Sequence, residues 1–271
     1  MHPVSGSDQA LVAGIRTAYA HGADGWAAGP ATVYRRLAEA LIATAGQPLA
    51  GWRVLDLGTG TGVACEALSR AAAHPVGLDL AVEMLAHRRA QRPPGVAGDA
   101  RALPFRDHVF DAVVAAFCLN HVPDLGLALA ECRRVTRSGG LLLASSFPAD
   151  ADHPAKAAVE AVLTEYGYQR PDWYATFKER VAKLTGDPDT FARTASAAGL
   201  TDVHVDLLEA DAGLDDPHLA VEWRLNMPHT LGFLTTLAPT TRAELRARAI
   251  AALPPDLPSV VPTLALRARI V

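Results

Sequence analysis

With 271 residues, a formal net charge of −4 and half of its residues hydrophobic, the chain suits one large domain or one domain with an inserted cap. It has no basic run to neutralise phosphates, which argues against a nucleic-acid partner. No apolar run reaches the ~20 residues that a membrane helix needs. Three widely spaced cysteines, Cys65, Cys118 and Cys132, fit a reduced compartment and match neither a disulfide framework nor a metal spacing.

The N-terminus, residues 1–8, lacks the apolar core of a signal peptide, so the expected location is cytoplasmic. Lysine is rare beside arginine and alanine, a bias expected of a GC-rich bacterial genome. Residues 8–45 read as one or two helices, with Val33, Leu37, Leu41 and Ile42 at helical spacing. Tyr19 and Trp26 flank Gly22 and Gly25 in this region.

A short apolar strand, Val54-Leu55-Asp56-Leu57, then ends in an acid and runs into Gly58-Thr59-Gly60-Thr61-Gly62. Residues 63–72 read as a helix. Strand, glycine turn and helix make the opening unit of a nucleotide-binding α/β fold. Without a Cβ, the glycines let the chain turn sharply and let a ligand lie against bare backbone. A dinucleotide fingerprint needs its third glycine at position 63, where Val63 stands. A triphosphate loop needs Lys and Ser or Thr after the last glycine, where Val63 and Ala64 stand. Asp56 would repel a phosphate and suits a cationic group, an ammonium or a sulfonium.

Further strands are expected at 75–79, 95–98, 110–116 and 140–147, with helices between them. The second ends at Asp79, before Leu80 and Met84; the third runs into Asp99 and Ala100. The fourth leads to Phe117, Asn120 and His121. Each of Asp56, Asp79 and Asp99 could cap a turn or a helix. Together they stand at the carboxyl ends of three successive strands, where open parallel sheets place their ligand crevice. Beyond Phe147, residues 153–184 read as helical with breaks at Gly167 and Pro171, and 188–198 as a helix opened by Pro188. Strand six covers 203–208, 217–251 is helical with breaks at Pro228 and near Pro239, and 260–271 ends the chain as an antiparallel strand. Such alternation predicts an α/β fold: a Rossmann-like, seven-stranded, mostly parallel sheet with helices on both faces. Residues 1–50 form an N-terminal helical cap, 51–150 the cofactor-binding core, and 151–271 the rest of the sheet. Helical insertions at about 150–187 and 212–256 form a lid above the carboxyl ends of the strands.

In order, these segments resemble the motifs of the class I S-adenosylmethionine (SAM)-dependent methyltransferases, in the type 11, small-molecule branch. The resemblance spans about residues 52–147 and includes the run from Ala130 to Leu141, where Ser138 replaces the family's usual Pro. It implies SAM as cofactor, released as S-adenosylhomocysteine. Asp56 would then face the amino-acid end, Asp79 the ribose hydroxyls and Asp99 the adenine amino group. Gly58, Thr59, Gly60, Leu80, Met84, Ala100 and Phe117 would line the same site. Phe117 could equally be an ordinary core aromatic. In related methyltransferases a segment like that of Tyr19 and Trp26 folds over the cofactor; alternatively these rings pack the N-terminal helices onto the body.

Methyl transfer is mainly a matter of alignment, so no strict catalytic motif is expected. A general base helps a hydroxyl or carbon-acid acceptor, and His121 is the first candidate, with His229 as runner-up. His121 could instead order its loop. His153 and His218 read as solvent-facing residues near helix starts. The lid carries Tyr166, Tyr168, Trp173, Tyr174, Phe177, Trp223 and Phe233, which form either an aromatic acceptor pocket or a lid core. Arg224 is either a hold for an acidic substrate group or half of a surface ion pair. The expected activity is O- or C-methylation of an apolar or aromatic small molecule in secondary or cofactor metabolism, by a monomer or homodimer without metal. The alternatives are a cyclase on the same fold and a non-catalytic SAM-binding module.

Overall fold

The computed structural model describes residues 6–271; the expectation about a signal peptide rests partly on residues 1–5, which lie outside them. Seven strands form one sheet: β1 (Arg53–Leu57), β2 (His74–Asp79), β3 (Gly95–Ala97), β4 (Phe110–Ala116), β5 (Thr136–Ser146), β6 (Thr201–Asp211) and β7 (Val260–Arg269). Their order is β3-β2-β1-β4-β5-β7-β6. β1 to β5 run parallel, and β7 is antiparallel to both β5 and β6. The chain therefore has the expected seven-stranded, mostly parallel α/β sheet. No helix among the described residues is long and apolar enough to cross a membrane.

β4 explains why the sheet is covered on both sides. Ala112, Val113, Val114 and Ala115 are all fully buried. Successive side chains of a strand face opposite ways. Val113 and Ala115 join the core that holds Leu129 and Phe191, while Ala112 and Val114 join the core that holds Leu41 and Leu68. A continuous apolar run with no polar alternation is what a doubly covered parallel strand requires.

β5 starts earlier than its sequence suggests. Phe110 pairs with Thr136 and Ala112 with Leu141, so residues 137–140 bulge out of the ladder. The Arg137-Ser138-Gly139-Gly140 turn thus survives as an excursion inside the strand. Gly139 has φ +77°, and a Cβ on Gly140 would lie 2.5 Å from the Thr136 side chain. Among the described residues, three helices precede β1, Gly6–Ala20, Ala23–Ala28 and Pro30–Ala43, not one or two. Breaks at Gly22 and Gly29 separate them. Gly29 allows a close approach: a Cβ there would lie 2.6 Å from the Glu222 carbonyl oxygen.

Helices gather above the carboxyl ends of the strands. Pro154–Glu165, Asp172–Thr176 and Ala182–Gly186 follow β5, with a wide turn at Phe177–Val181; Pro217–Leu225, Pro228–Thr236 and Pro239–Ala251 follow β6. Six helices among the described residues begin on proline, at Pro30, Pro154, Pro188, Pro217, Pro228 and Pro239. Proline's fixed φ suits the first turn, and its missing N–H is one that no helix would have bonded. Pro228 and Pro239 each close off one helix by opening the next. His153 is corrected by the structure: it stands at a helix start but is only 2% exposed. Its Nδ1 accepts from the Ala155 amide, its Nε2 bonds the Pro258 carbonyl, and its ring meets the Trp223 edge. His218 is exposed as expected.

Phe191, fully buried on the helix Pro188–Ala197, ties that helix to the sheet. Phe191→Ala should cost about 3–5 kcal/mol, the range for emptying a buried aromatic site. Urea unfolding will read this as a lower midpoint at unchanged slope.

Candidate functional site

Parallel pairing of β1, β2 and β3 brings Asp56, Asp79 and Asp99 to the same edge of the sheet. The loop after β1 turns with φ +71° at Gly58, +53° at Gly60 and +99° at Gly62. A Cβ on Gly58 would lie 2.5 Å from Cys118 Sγ, so glycine is required both by conformation and by space. The amides of Gly58 and Thr59 donate to the Leu78 carbonyl at 2.8 and 2.9 Å, which stitches the loop to β2.

Asp56 is 1% exposed. Its Oδ2 accepts from Thr59 Oγ1 at 2.7 Å and from the Cys65 amide at 3.0 Å. These bonds make it a strut that fixes the loop and the start of the next helix. Burial pushes its pKa up, and the bonds from Thr59 and Cys65 oppose that. Asp79 accepts from the Gly60 amide at 2.8 Å and from the Ala81 amide at 2.9 Å, one bond to each oxygen. Each of its oxygens keeps acceptor capacity for a further partner. Burial also raises Asp79, against the same backbone bonds. For Asp99, burial acts upward, but the Arg101 fork outweighs it and the pKa ends below the ordinary carboxylate range. Arg101 Nε and Nη2 lie 3.1 and 2.7 Å from Asp99 Oδ1 and Oδ2.

These groups border a cleft of about 1030 Å³. Gly58, Thr59, Gly60, Leu80, Met84 and Ala100 line it with the three acids. Tyr19, Trp26, Phe117 and His121 close it from the other side. Phe117 departs from ordinary backbone geometry, with φ +56°. A non-glycine residue held in this region costs of order 1–3 kcal/mol. Packing offsets that strain: the Phe117 ring lies 5.0 Å from Tyr34 and 4.6 Å from Phe147.

A second cavity, of about 1190 Å³, adjoins the first. Tyr19, Tyr34 and His121 belong to both, so they form the wall between them. His121 Nε2 lies 3.2 Å from the Tyr19 hydroxyl and Nδ1 lies 3.2 Å from Asn120 Oδ1. An amide oxygen only accepts, so Nδ1 carries the proton and Nε2 accepts from Tyr19. The ring stacks on Phe177 at 4.7 Å. Burial lowers the His121 pKa to about 4, leaving the imidazole neutral at pH 7. His229 borders only the second cavity and stacks on Tyr174 at 3.9 Å. Burial, then Arg224, pushes its pKa well down.

The lid aromatics divide. Trp173, Tyr174, Phe177 and Trp223 line the second cavity, whereas Tyr166, Tyr168 and Phe233 pack into a separate helical core. Two residues carried no signal in the sequence. Tyr34 sits among regular helical positions, and Arg92 follows Arg88 and Arg89 in a stretch that belongs to no motif. Yet Arg92 Nη1 donates to the carbonyls of Gly60 and Met84 at 2.9 and 3.0 Å, and Nη2 to Thr59 Oγ1 at 3.1 Å. It clamps the glycine loop from outside.

A family model described as a methyltransferase domain matches residues 55–144. The demethylmenaquinone methyltransferase of Renibacterium salmoninarum is 35% identical over 176 residues, covering 60% of this chain and 72% of that one. That of Mycolicibacterium gilvum is 38% identical over 162 residues, covering 56% and 69%. That of Mycolicibacterium paratuberculosis is 46% identical over 116 residues, and there the chain spans about half (49%) of the relative's length. Among solved structures, Haemonchus contortus phosphoethanolamine N-methyltransferase 2 superposes with TM-score 0.57 at 17% identity, over 86% of this chain and 52% of that one. The 4+2 cyclase SpnF superposes with TM-score 0.53 at 20% identity, over 87% and 81%. Likeness at such identity shows the fold alone. Joined to the matched domain and the relatives in sequence, it leads to one assignment: this chain belongs to the class I SAM-dependent methyltransferase family.

Proposed function

We propose that the chain transfers the methyl group of SAM to an aromatic or apolar small molecule, with O- or C-methylation favoured, in cofactor or secondary metabolism. The observation that carries this reading is the shared wall: one cleft lined by carboxylates and bare glycine backbone meets an aromatic cavity at His121. The names of the relatives, demethylmenaquinone methyltransferases, support an aromatic acceptor.

The residues of the first cleft fit SAM. Gly60 has no side chain, which leaves its backbone bare to a ligand, and a Cβ there would crowd Met84 Cε at 3.3 Å. Asp79, with free lone pairs, would hold the ribose hydroxyls. Leu80, Met84 and Ala100 offer an apolar slot beside Asp99 for the base. Asp56 would act mainly through the loop it braces. When bound, the cofactor supplies an electrophilic methyl group. Every other contribution is the chain's own. Tyr19, Trp26 and Phe117 keep water out, and the wall residues align an acceptor with the methyl, an effect that can supply most of the rate. His121 would accept a hydroxyl proton at Nε2, directly or through the Tyr19 phenol, as the transition state makes that proton acidic. We assign His229, stacked on Tyr174, to the wall of the acceptor cavity.

Calorimetry should find SAM and S-adenosylhomocysteine bound and NADH excluded; tight NADH binding alone would overturn the cofactor reading. Asp79→Ala should weaken S-adenosylhomocysteine at least tenfold, about 1.4 kcal/mol. His121→Ala should lower turnover at least tenfold with SAM affinity held. In the parent protein turnover should stay level from about pH 8 to 6 and fall as pH drops towards about 4, because a lowered pKa keeps the imidazole unprotonated until then. Turnover untouched by the substitution would remove His121 from the chemistry. Mass spectrometry of the product should show one added methyl; an isomer of unchanged mass would favour ring closure on this fold.

A further inference from the structure

The second cavity gathers more positive charge than negative. The chain has three lysines, Lys156, Lys178 and Lys183, and all three border this cavity beside Arg224. They come from separate elements: Lys156 from Pro154–Glu165, Lys178 from the turn Phe177–Val181, Lys183 from Ala182–Gly186 and Arg224 from Pro217–Leu225. Local sequence does not force such a cluster; the tertiary fold assembles it. Lys156 and Arg224 are half-buried, while Lys178 and Lys183 are exposed.

Among the described residues, no carboxylate comes within ion-pair distance of any of the four. The chain pairs neighbouring arginines readily. Glu160, one turn along the helix from Lys156, pairs with Arg170. Glu222, two residues from Arg224, pairs with Arg246. These two acids are thus engaged with other cations. Asp150, exposed, is the one carboxylate on the lining among the described residues, and Asp152 is exposed nearby. What touches Lys156 is a carbonyl, that of Ala151 at 3.4 Å, and the Phe147 ring at 5.1 Å. The Arg224 guanidinium lies 5.1 Å from the ring of Trp223. Burial, followed by repulsion from Arg224, lowers the Lys156 pKa to about 8. Two like charges held half-buried and unpaired are costly, and an anion between them would offset that cost.

Resting on the methyl-transfer reading, we propose that the acceptor carries an anionic group, a carboxylate or a phosphate, on an aromatic frame, gripped by Lys156 and Arg224. The Arg224 fork can bind such a group through two parallel N–H bonds, and Lys156 adds a point charge. Lys178 and Lys183 draw the anion towards the cavity by long-range attraction. Phe147, Tyr174 and Trp223 present flat apolar surfaces to the ring. A neutral acceptor would fill the volume and leave the charges unmet.

Calorimetry on the full chain loaded with S-adenosylhomocysteine tests this, with 1-hydroxy-2-naphthoate, 1-naphthyl phosphate and neutral 1-naphthol as probes. At least one anion should bind tenfold or more tighter than 1-naphthol, and the tighter of the two names the group. Lys156→Met and Arg224→Gln should each remove most of that preference while affinity for 1-naphthol and S-adenosylhomocysteine holds, which also reports an intact fold. Added salt should weaken the anion and spare 1-naphthol. Anions bound no tighter than 1-naphthol, or a preference that survives both substitutions, would overturn the proposal. The same titrations on the unloaded chain separate the two claims. Absent S-adenosylhomocysteine binding sinks the cofactor reading, while the anion comparison still decides the site.

Discussion

The parallel register of β1, β2 and β3 is the constraint from which the rest of the site follows. Parallel neighbours end on the same side, so acids at or just past the carboxyl ends of the three strands become one row. The loop between β1 and its helix must then clear that row, and it does so through three left-handed glycines at alternate positions, Gly58, Gly60 and Gly62. Such a turn has little stiffness of its own. Asp56 braces it from beneath through Thr59 and Cys65, and Arg92 clamps it from outside through Gly60 and Thr59. Asp79 completes the frame by holding the Gly60 amide. The shape of the cleft therefore rests on a short hydrogen-bond cage of two carboxylates, one guanidinium and the loop's own backbone.

Strain and unpaired charge collect where the two cavities meet. Phe117 is held at a left-handed φ beside the wall, and four cations stand over the second cavity. Elsewhere many charges are met: Arg134 pairs with Glu131 and Arg246 with Glu222, Asp124 and Asp187 cap their helices, and β4 is covered on both faces. At that junction a strained aromatic and unpaired cations stand together where a cofactor and an acceptor would face each other, as expected where function competes with stability.

Burial sets the proton chemistry of that wall. His121 and His229 are both held neutral by the apolar surroundings of their rings. Their partners then decide what each can do. Asn120 fixes the His121 tautomer and leaves Nε2 to Tyr19, whereas His229 spends its face on Tyr174. Two histidines of similar burial thus differ in what reaches them.

The glycine spacing, the three strand-end acids and the apolar run of β4 were all legible in the chain, because strand ends and tight turns depend on residues a few positions apart. The breaks at Pro228 and Pro239 were legible for the same reason. Contacts between distant segments were not. Nothing local marks Arg92 as the clamp of the loop at residues 58–62, or separates a buried, capping His153 from a solvent-facing one. The lid aromatics looked alike in sequence, yet four face a cavity and three fill a core. Sequence alone determined the sheet, its acids and the family, since these follow from short-range pattern. Only the tertiary structure decided which histidine meets both cavities and that three scattered lysines share one of them, because those facts depend on how the lid helices pack across the sheet.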